Sequence, residues 1–246
     1  MSKKIGLIQT RGIGDIIIAL PIADFYLERG FEVVWPIDER WVEIFRRVKP
    51  HIQFEGVTFK EPLNRDYFVD DPLRITAEHG CERVIILYSY LGDLNVCDRR
   101  LAASLKFDEY KYAIAGVPFK RKWTLKLERD MAREQALFDS LNIQGSEYVC
   151  VHAVGSDLRI PIRIEPEIEE RYHVIQIEEL TDSPFDWLLT LERASKLILI
   201  DSCFSNLVEQ LNMTNEKRLV VRSPIQFTPV YKNGWRFVFF DPADAT

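Results

Sequence analysis

Short apolar runs separated by longer amphipathic stretches recur along the whole chain, the pattern of parallel β-strands joined by crossover helices. In the first half the runs predict strands near residues 5–9, 32–36 and 84–88. Helices are predicted near 15–29, 39–48, 72–79 and 98–105, with 56–65 as loop. A longer helix is predicted over 127–141, where Met131, Leu137, Phe138 and Leu141 fall at helical spacing and Gly145 stands as a C-terminal stop. The alternation then restarts, with strands near 148–153, 172–177, 197–200, 218–221 and 231–240 and helices near 185–194 and 205–211. The pattern predicts an α/β chain of two Rossmann-like domains, residues 1–145 and 146–246. Ligands of such domains bind at the C-terminal ends of the strands, so the expected site is a central cleft that both domains face.

Composition agrees with this picture. The 246 residues suit two small domains, and 47% hydrophobic content is enough to bury a core in each. Gln9, Arg11 and Asp15 interrupt the apolar stretch after the N-terminus, and no run approaches the roughly 18 apolar residues of a membrane span. Four cysteines (81, 97, 150 and 203) lack C-x-x-C spacing and four histidines are scattered, so the expectation is a cytoplasmic protein with reduced thiols and no bound metal. The net charge is −6, and all of that excess falls in residues 146–246; residues 1–145 carry 22 basic and 22 acidic side chains. One basic cluster stands out: Lys120, Arg121, Lys122, Lys126, Arg129 and Arg133 around Trp123. It reads either as a solvated helix face or as a docking surface for an anionic acceptor.

Three segments carry candidate chemistry. In the first, a strand feeds Thr10-Arg11-Gly12-Ile13-Gly14-Asp15 at a helix start. Glycines let a ligand approach the backbone, and a helix N-terminus offers free N–H groups. Ile17 stands where a dinucleotide fingerprint has its third glycine. Asp15 disfavours a phosphate there and suits a hydroxyl that is to lose its proton; a plain helix cap is the other reading. The second segment is His152-Ala-Val-Gly155-Ser156, a strand end opening into a turn, followed by Arg159. The third is Asp201-Ser202-Cys203-Phe204-Ser205-Asn206 after an apolar strand, where Ser202, Ser205 and the helix N-terminus could hold a diphosphate or simply cap the helix. No histidine is near Cys203 in sequence, so a buried structural thiol is its expected role.

These three pieces, in this order, resemble the GT-B glycosyltransferases and within them glycosyltransferase family 9, the ADP-heptose transferases. The resemblance lies in Gly14-Asp15 and Leu20-Pro21, in the turn Ala153-Val154-Gly155-Ser156, and in the segment from Leu188 to Asn206. Cys203 and Asn206 stand where the family has Gly and His, and only Arg159 answers to its Lys/Arg-Trp-Pro pattern. The chain is also shorter than usual for the family and ends in a strand pattern rather than a returning helix.

The resemblance implies a transferase moving a sugar from a nucleotide-diphosphate sugar to an acceptor hydroxyl, with inversion, without a metal and without a cofactor beyond the donor. It implies Asp15 as general base, and donor contacts from Gly155, Ser156, Arg159, Asp201, Ser202, Ser205, Asn206 and Arg222. The acceptor side would be formed by Thr10, Arg11, Gly12, Gly14, Lys120 and Lys122. The acceptor is a surface glycan such as lipopolysaccharide, or a hydroxymethylated base of phage DNA, which the basic cluster would contact through phosphates. Two other readings stay open. One is a non-catalytic nucleotide-binding protein on a degenerate GT-B scaffold. The other is a nicotinamide-dependent oxidoreductase with Asp38 as its ribose contact.

Overall fold

The computed structural model describes residues 3–59, 64–91, 94, 96–155, 159–222 and 227–240. The chain forms two compact units, Met1–Glu128 and Arg129–Thr246. In the first, β1 (Lys3–Ile8), β2 (Phe31–Asp38), β3 (Gln53–Val57) and β4 (Arg83–Ile86) form a parallel sheet in the order β3-β2-β1-β4. Its helices are α1 (Ile13–Leu27), α2 (Val42–Val48), α3 (Asp71–Glu78), α4 (Arg99–Ser104) and α5 (Phe107–Ala115). The chain lays strands to one side of β1 and then returns to place β4 on the other, so the strand order reverses between β1 and β4. That is where ligands of open parallel sheets bind.

The central strand reads as a continuous apolar run because both faces of a parallel sheet are covered: Ile5, Leu7 and Ile8 are fully buried. Gly6 admits the covering helix, since a Cβ there would lie 2.6 Å from the Thr76 methyl of α3. Helix α1 is apolar on every side and buried from Ile16 to Ala23. Two tyrosines fasten α5 to it: Tyr26 donates to the Ala115 carbonyl (2.6 Å) and Tyr112 to the Ile18 carbonyl (2.9 Å).

In the second unit α6 (Met131–Ser140), α7 (Pro166–Arg171), α8 (Leu188–Arg193) and α9 (Cys203–Gln210) accompany five strands. These are β5 (Tyr148–His152), β6 (His173–Gln176), β7 (Lys196–Ile200), β8 (Glu216–Val221) and β9 (Trp235–Phe239). They form a parallel sheet in the order β6-β5-β7-β8-β9, which reverses between β5 and β7. Val149, Val151, Ile160, Ile198, Ile200 and Val220 make its core.

The predicted α/β class and its strand–helix alternation are what the structure shows. It also contains β3, α5 and α7, for which the pattern gave no expectation. β3 is a five-residue edge strand holding Glu55 and Gly56, and α7 is a single six-residue run, so neither carries a full apolar period. The predicted long helix begins only at Met131, where the Asp130 carboxylate accepts from Arg133 N–H as N-cap (3.1 Å). The units divide before this helix, at 128/129, and not at Gly145. The side chains at its start bind it to the second unit: Arg129 pairs with Glu134 and, at 2.6 Å, with Glu192, and Arg133 pairs with Asp182 and, at 2.7 Å, with Asp186.

Candidate active-site residues in the two units

At the switch point of the first sheet, the chain leaves β1 through Gln9, Thr10 and Arg11 and enters α1 at Gly12. Gly12 is the N-cap with φ of 83° and supplies no side-chain cap. Asp15 is therefore not a cap; it sits in the first turn of α1 with its side chain 26% exposed. Its Oδ1 is buried and ion-paired at 3.0 Å with the Nζ of Lys111, which is itself fully buried. The exposed part of the carboxylate is thus Oδ2. A Cβ at position 12 would lie 2.6 Å from that oxygen, so glycine is required both by the positive φ and by the space in front of the carboxylate.

Two N–H groups of the turn are engaged. Those of Thr10 and Arg11 donate to the Tyr88 phenol oxygen at 2.7 and 3.3 Å, and the Thr10 and Tyr88 hydroxyls share a short hydrogen bond. Burial pushes the Tyr88 phenol up to about 12, so it stays protonated at neutral pH. Thr10 is fully buried, Arg11 is exposed, and Gly14 is partly exposed inside α1. A carboxylate in front sets this turn against a phosphate.

The second sheet gathers different groups at its own switch point. His152 ends β5, and its Nδ1 lies 3.1 Å from Ser202 Oγ, just beyond β7. Its ring packs edge-on against Phe204 with centroids 4.7 Å apart. Burial, and then the positive charges of Arg222 and Arg159, push this imidazole down to about 4, so it is neutral at neutral pH. Two guanidinium groups thus act on one strand end: Arg159, exposed after the Gly155 turn, and Arg222, immediately after β8. Backbone bonds hold the Gly155 turn, with Ile160 N–H donating to the Ala153 carbonyl at 2.9 Å. Ser156 lies outside the described residues.

Three of the expected donor contacts have structural work instead. Ser205 is fully buried, accepts from Ser202 N–H (2.9 Å) and shares a hydrogen bond with the Tyr231 hydroxyl (2.9 Å). Tyr231 in turn donates to Asp201 Oδ1 at 3.0 Å. Asn206 is buried and donates from Nδ2 to the Ser202 carbonyl at 2.8 Å. Asp201, Ser205 and Asn206 are therefore turned inward at the α9 start, the first two by Tyr231 and the third by the Ser202 carbonyl.

The basic cluster is corrected as well. Lys122 is fully buried in an ion pair with the equally buried Asp108 (2.7 Å), and Arg121 pairs with Glu28. Arg129 and Arg133 belong to the other unit and are paired there. Lys120 and Lys126 are exposed, too few for a continuous cationic face. The nicotinamide reading also loses its residue: the Asp38 carboxylate is buried and accepts from the Arg40 guanidinium at 2.8 and 2.6 Å and from Tyr67 at 2.8 Å, leaving no oxygen for a ribose. Residue patterns did not reveal Gln9, Tyr88, Lys111 or Tyr231. A signal existed for Lys111, a single cation on the helical stripe Phe107–Lys111–Ala115.

Among the described residues, no helix is long and apolar enough to cross a membrane, and no three His, Cys, Asp or Glu side chains are grouped to hold a metal ion. No family model matches the sequence, and no curated protein is similar to it by sequence. Solved structures do match. The glycosyl transferase family 9 protein of Veillonella parvula DSM 2008 aligns at a TM-score of 0.65 and 15% identity, over 96% of this chain and 87% of its own. The E. coli heptosyltransferase WaaC with ADP aligns at 0.52 and 14% identity, over 96% and 93%. E. coli ADP-heptose lps heptosyltransferase II aligns at 0.55 and 10% identity, over 96% and 90%. This chain therefore has the fold of glycosyl transferase family 9, two Rossmann-like α/β units of the GT-B type.

Proposed function

We propose that this protein is a glycosyltransferase that moves a sugar from a nucleotide-diphosphate sugar to an acceptor hydroxyl, inverting the anomeric carbon. The observation that carries the reading is the contrast between the two switch points: an open carboxylate oxygen in one unit, two guanidinium groups in the other. The second unit binds the donor, with its diphosphate between Arg159 and Arg222 and beside Gly155 and Ser202. The first unit receives the acceptor. As the acceptor oxygen bonds to the anomeric carbon, the bond from that carbon to the diphosphate oxygen breaks and the electron pair leaves with the diphosphate. The acceptor proton passes to Asp15 Oδ2. The two arginines meet the charge that develops on the leaving group, the role a divalent cation plays in other transferases.

A glycan acceptor is favoured over DNA, because the ion pairs of Arg121 and Lys122 remove the cationic face that a duplex needs. The test is thermal unfolding against UDP, ADP, GDP, CMP, their sugar conjugates, NAD and NADP. One nucleoside diphosphate and its sugar, at about 100 times their dissociation constant, should raise the melting temperature by roughly 5–10 °C, with no effect of NAD. Silence across the panel, or a response to NAD alone, would overturn the reading.

A further inference from the structure

Lys111 is fully enclosed on α5, beside Phe107 and Ala115, where methionine or leucine would fill the same space without burying a charge. Its ammonium is met by oxygens from three separate elements. Gln9 Oε1, just beyond β1, accepts at 2.6 Å; the Leu87 carbonyl, just beyond β4, accepts at 3.3 Å; Asp15 Oδ1, on α1, lies at 3.0 Å. The bonds to Gln9 and Leu87 fix the ammonium in place, and Asp15 Oδ1 meets it at 3.0 Å as a charge contact without a hydrogen bond.

Both anchors are themselves held. Gln9 donates from Nε2 to the Arg11 carbonyl at 2.7 Å, and Leu87 N–H donates to the Ile8 carbonyl at 3.0 Å. The Tyr26–Ala115 and Tyr112–Ile18 hydrogen bonds fix α5, which carries the ammonium, to α1, which carries the carboxylate.

We propose that Lys111 is a positioning residue. Its buried charge draws Asp15 Oδ1 inward and thereby makes Oδ2 the oxygen that takes the acceptor proton. This rests on the reading of Asp15 as general base. A lysine that only joined α5 to the sheet would affect stability without governing where the carboxylate points.

Lys111→Met removes the charge and keeps the length. In its crystal structure the Asp15 carboxylate should leave its wild-type position. Turnover of the donor sugar found in the nucleotide panel should fall about tenfold to a hundredfold, the scale on which small misplacements of reacting groups act. Calorimetry should find the affinity for the matching nucleoside diphosphate unchanged. Gln9→Met, which leaves Lys111 in place but removes its nearest anchor, should lower turnover several-fold in the same direction and serves if Lys111→Met does not fold. An unmoved Asp15 carboxylate in either variant would overturn the proposal, as would wild-type turnover in both. The crystallographic arm needs no activity, so a wild-type protein without transfer would count against the glycosyltransferase reading alone.

Discussion

Both units contain a strand, a short turn and a helix with an aspartate at the junction, inside the helix start in one and before it in the other, and the two junctions use it in opposite ways. After β1 the cap is a glycine without a side chain, the Thr10 and Arg11 N–H groups are taken by a distant tyrosine, and Asp15 keeps an exposed oxygen beside a buried lysine. After β7 the aspartate is held by Tyr231, the serine at the third helical position is locked to the one before the helix, and the positive charge comes from arginines on other loops. Similar local sequence therefore yields an exposed carboxylate oxygen in one place and an inward-turned carboxylate in the other. What separates them is not the aspartate but its partner, a buried cation in one case and a phenol in the other.

The sharpest way to break this contrast is to neutralise each aspartate. Asp15→Asn should lower sugar transfer by about 10²–10⁴-fold with nucleoside diphosphate affinity retained. Asp201→Asn, whose amide oxygen can still accept from Tyr231, should leave turnover near wild type and cost no more than about 1 kcal/mol of stability. Equal effects of the two substitutions in a steady-state assay would remove the distinction between the junctions.

The next largest effect concerns stability. Lys122→Met strands the buried Asp108 carboxylate and should cost about 3–5 kcal/mol in urea unfolding, most of it regained when Asp108 is replaced by an apolar residue as well. Lys120→Ala should change stability by less than about 0.5 kcal/mol. If both lysines behaved as surface residues, the reassignment of the basic cluster would be wrong.

On the donor side, Arg159→Ala and Arg222→Ala should each weaken nucleoside diphosphate binding by roughly 1.5–3 kcal/mol, measured by calorimetry. Neither should alter the melting temperature of the unliganded protein as much as Lys122→Met does.

The remaining effect is a pH dependence. In the unfolded chain His152 binds a proton near 6.5, and in the folded protein only near 4. Between those values the unfolded state holds more protons, so stability rises with pH across the window and is lost as the pH falls from about 6.5 towards 4, by at most about 1.4 kcal/mol per pH unit. His152→Gln should flatten that slope, and Arg222→Ala should reduce it, because Arg222 is one cause of the low value. An unchanged slope in His152→Gln would assign the acid sensitivity elsewhere.

Much of the fold was legible because parallel strands are buried on both faces and so appear as uninterrupted apolar runs, as in Ile5–Ile8 and Leu197–Ile200. The turn at Gly12 and the aspartate behind it could be read from local geometry alone. The elements that escaped notice are short or polar on one side, and one of them, α5, carries the lysine beneath Asp15. Lys111 lies 102 positions from the glutamine that holds it, and Tyr88 lies 78 from the turn it closes. No window of sequence contains such pairs.

The chain's amino-acid sequence thus determined by itself where strands, turns and helix starts fall, because dihedral preference and apolar periodicity act over a few residues. Which charges face a ligand was decided only by the tertiary structure. Lys122, Asp201, Ser205 and Asn206 look as available in sequence as Asp15 and Arg159, yet packing turns them inward and gives each a partner inside its own unit. The reason is the cost of leaving a buried polar side chain without a partner: it draws such side chains to whatever partner the fold brings within reach, and the groups left at the surface of the switch points remain for chemistry.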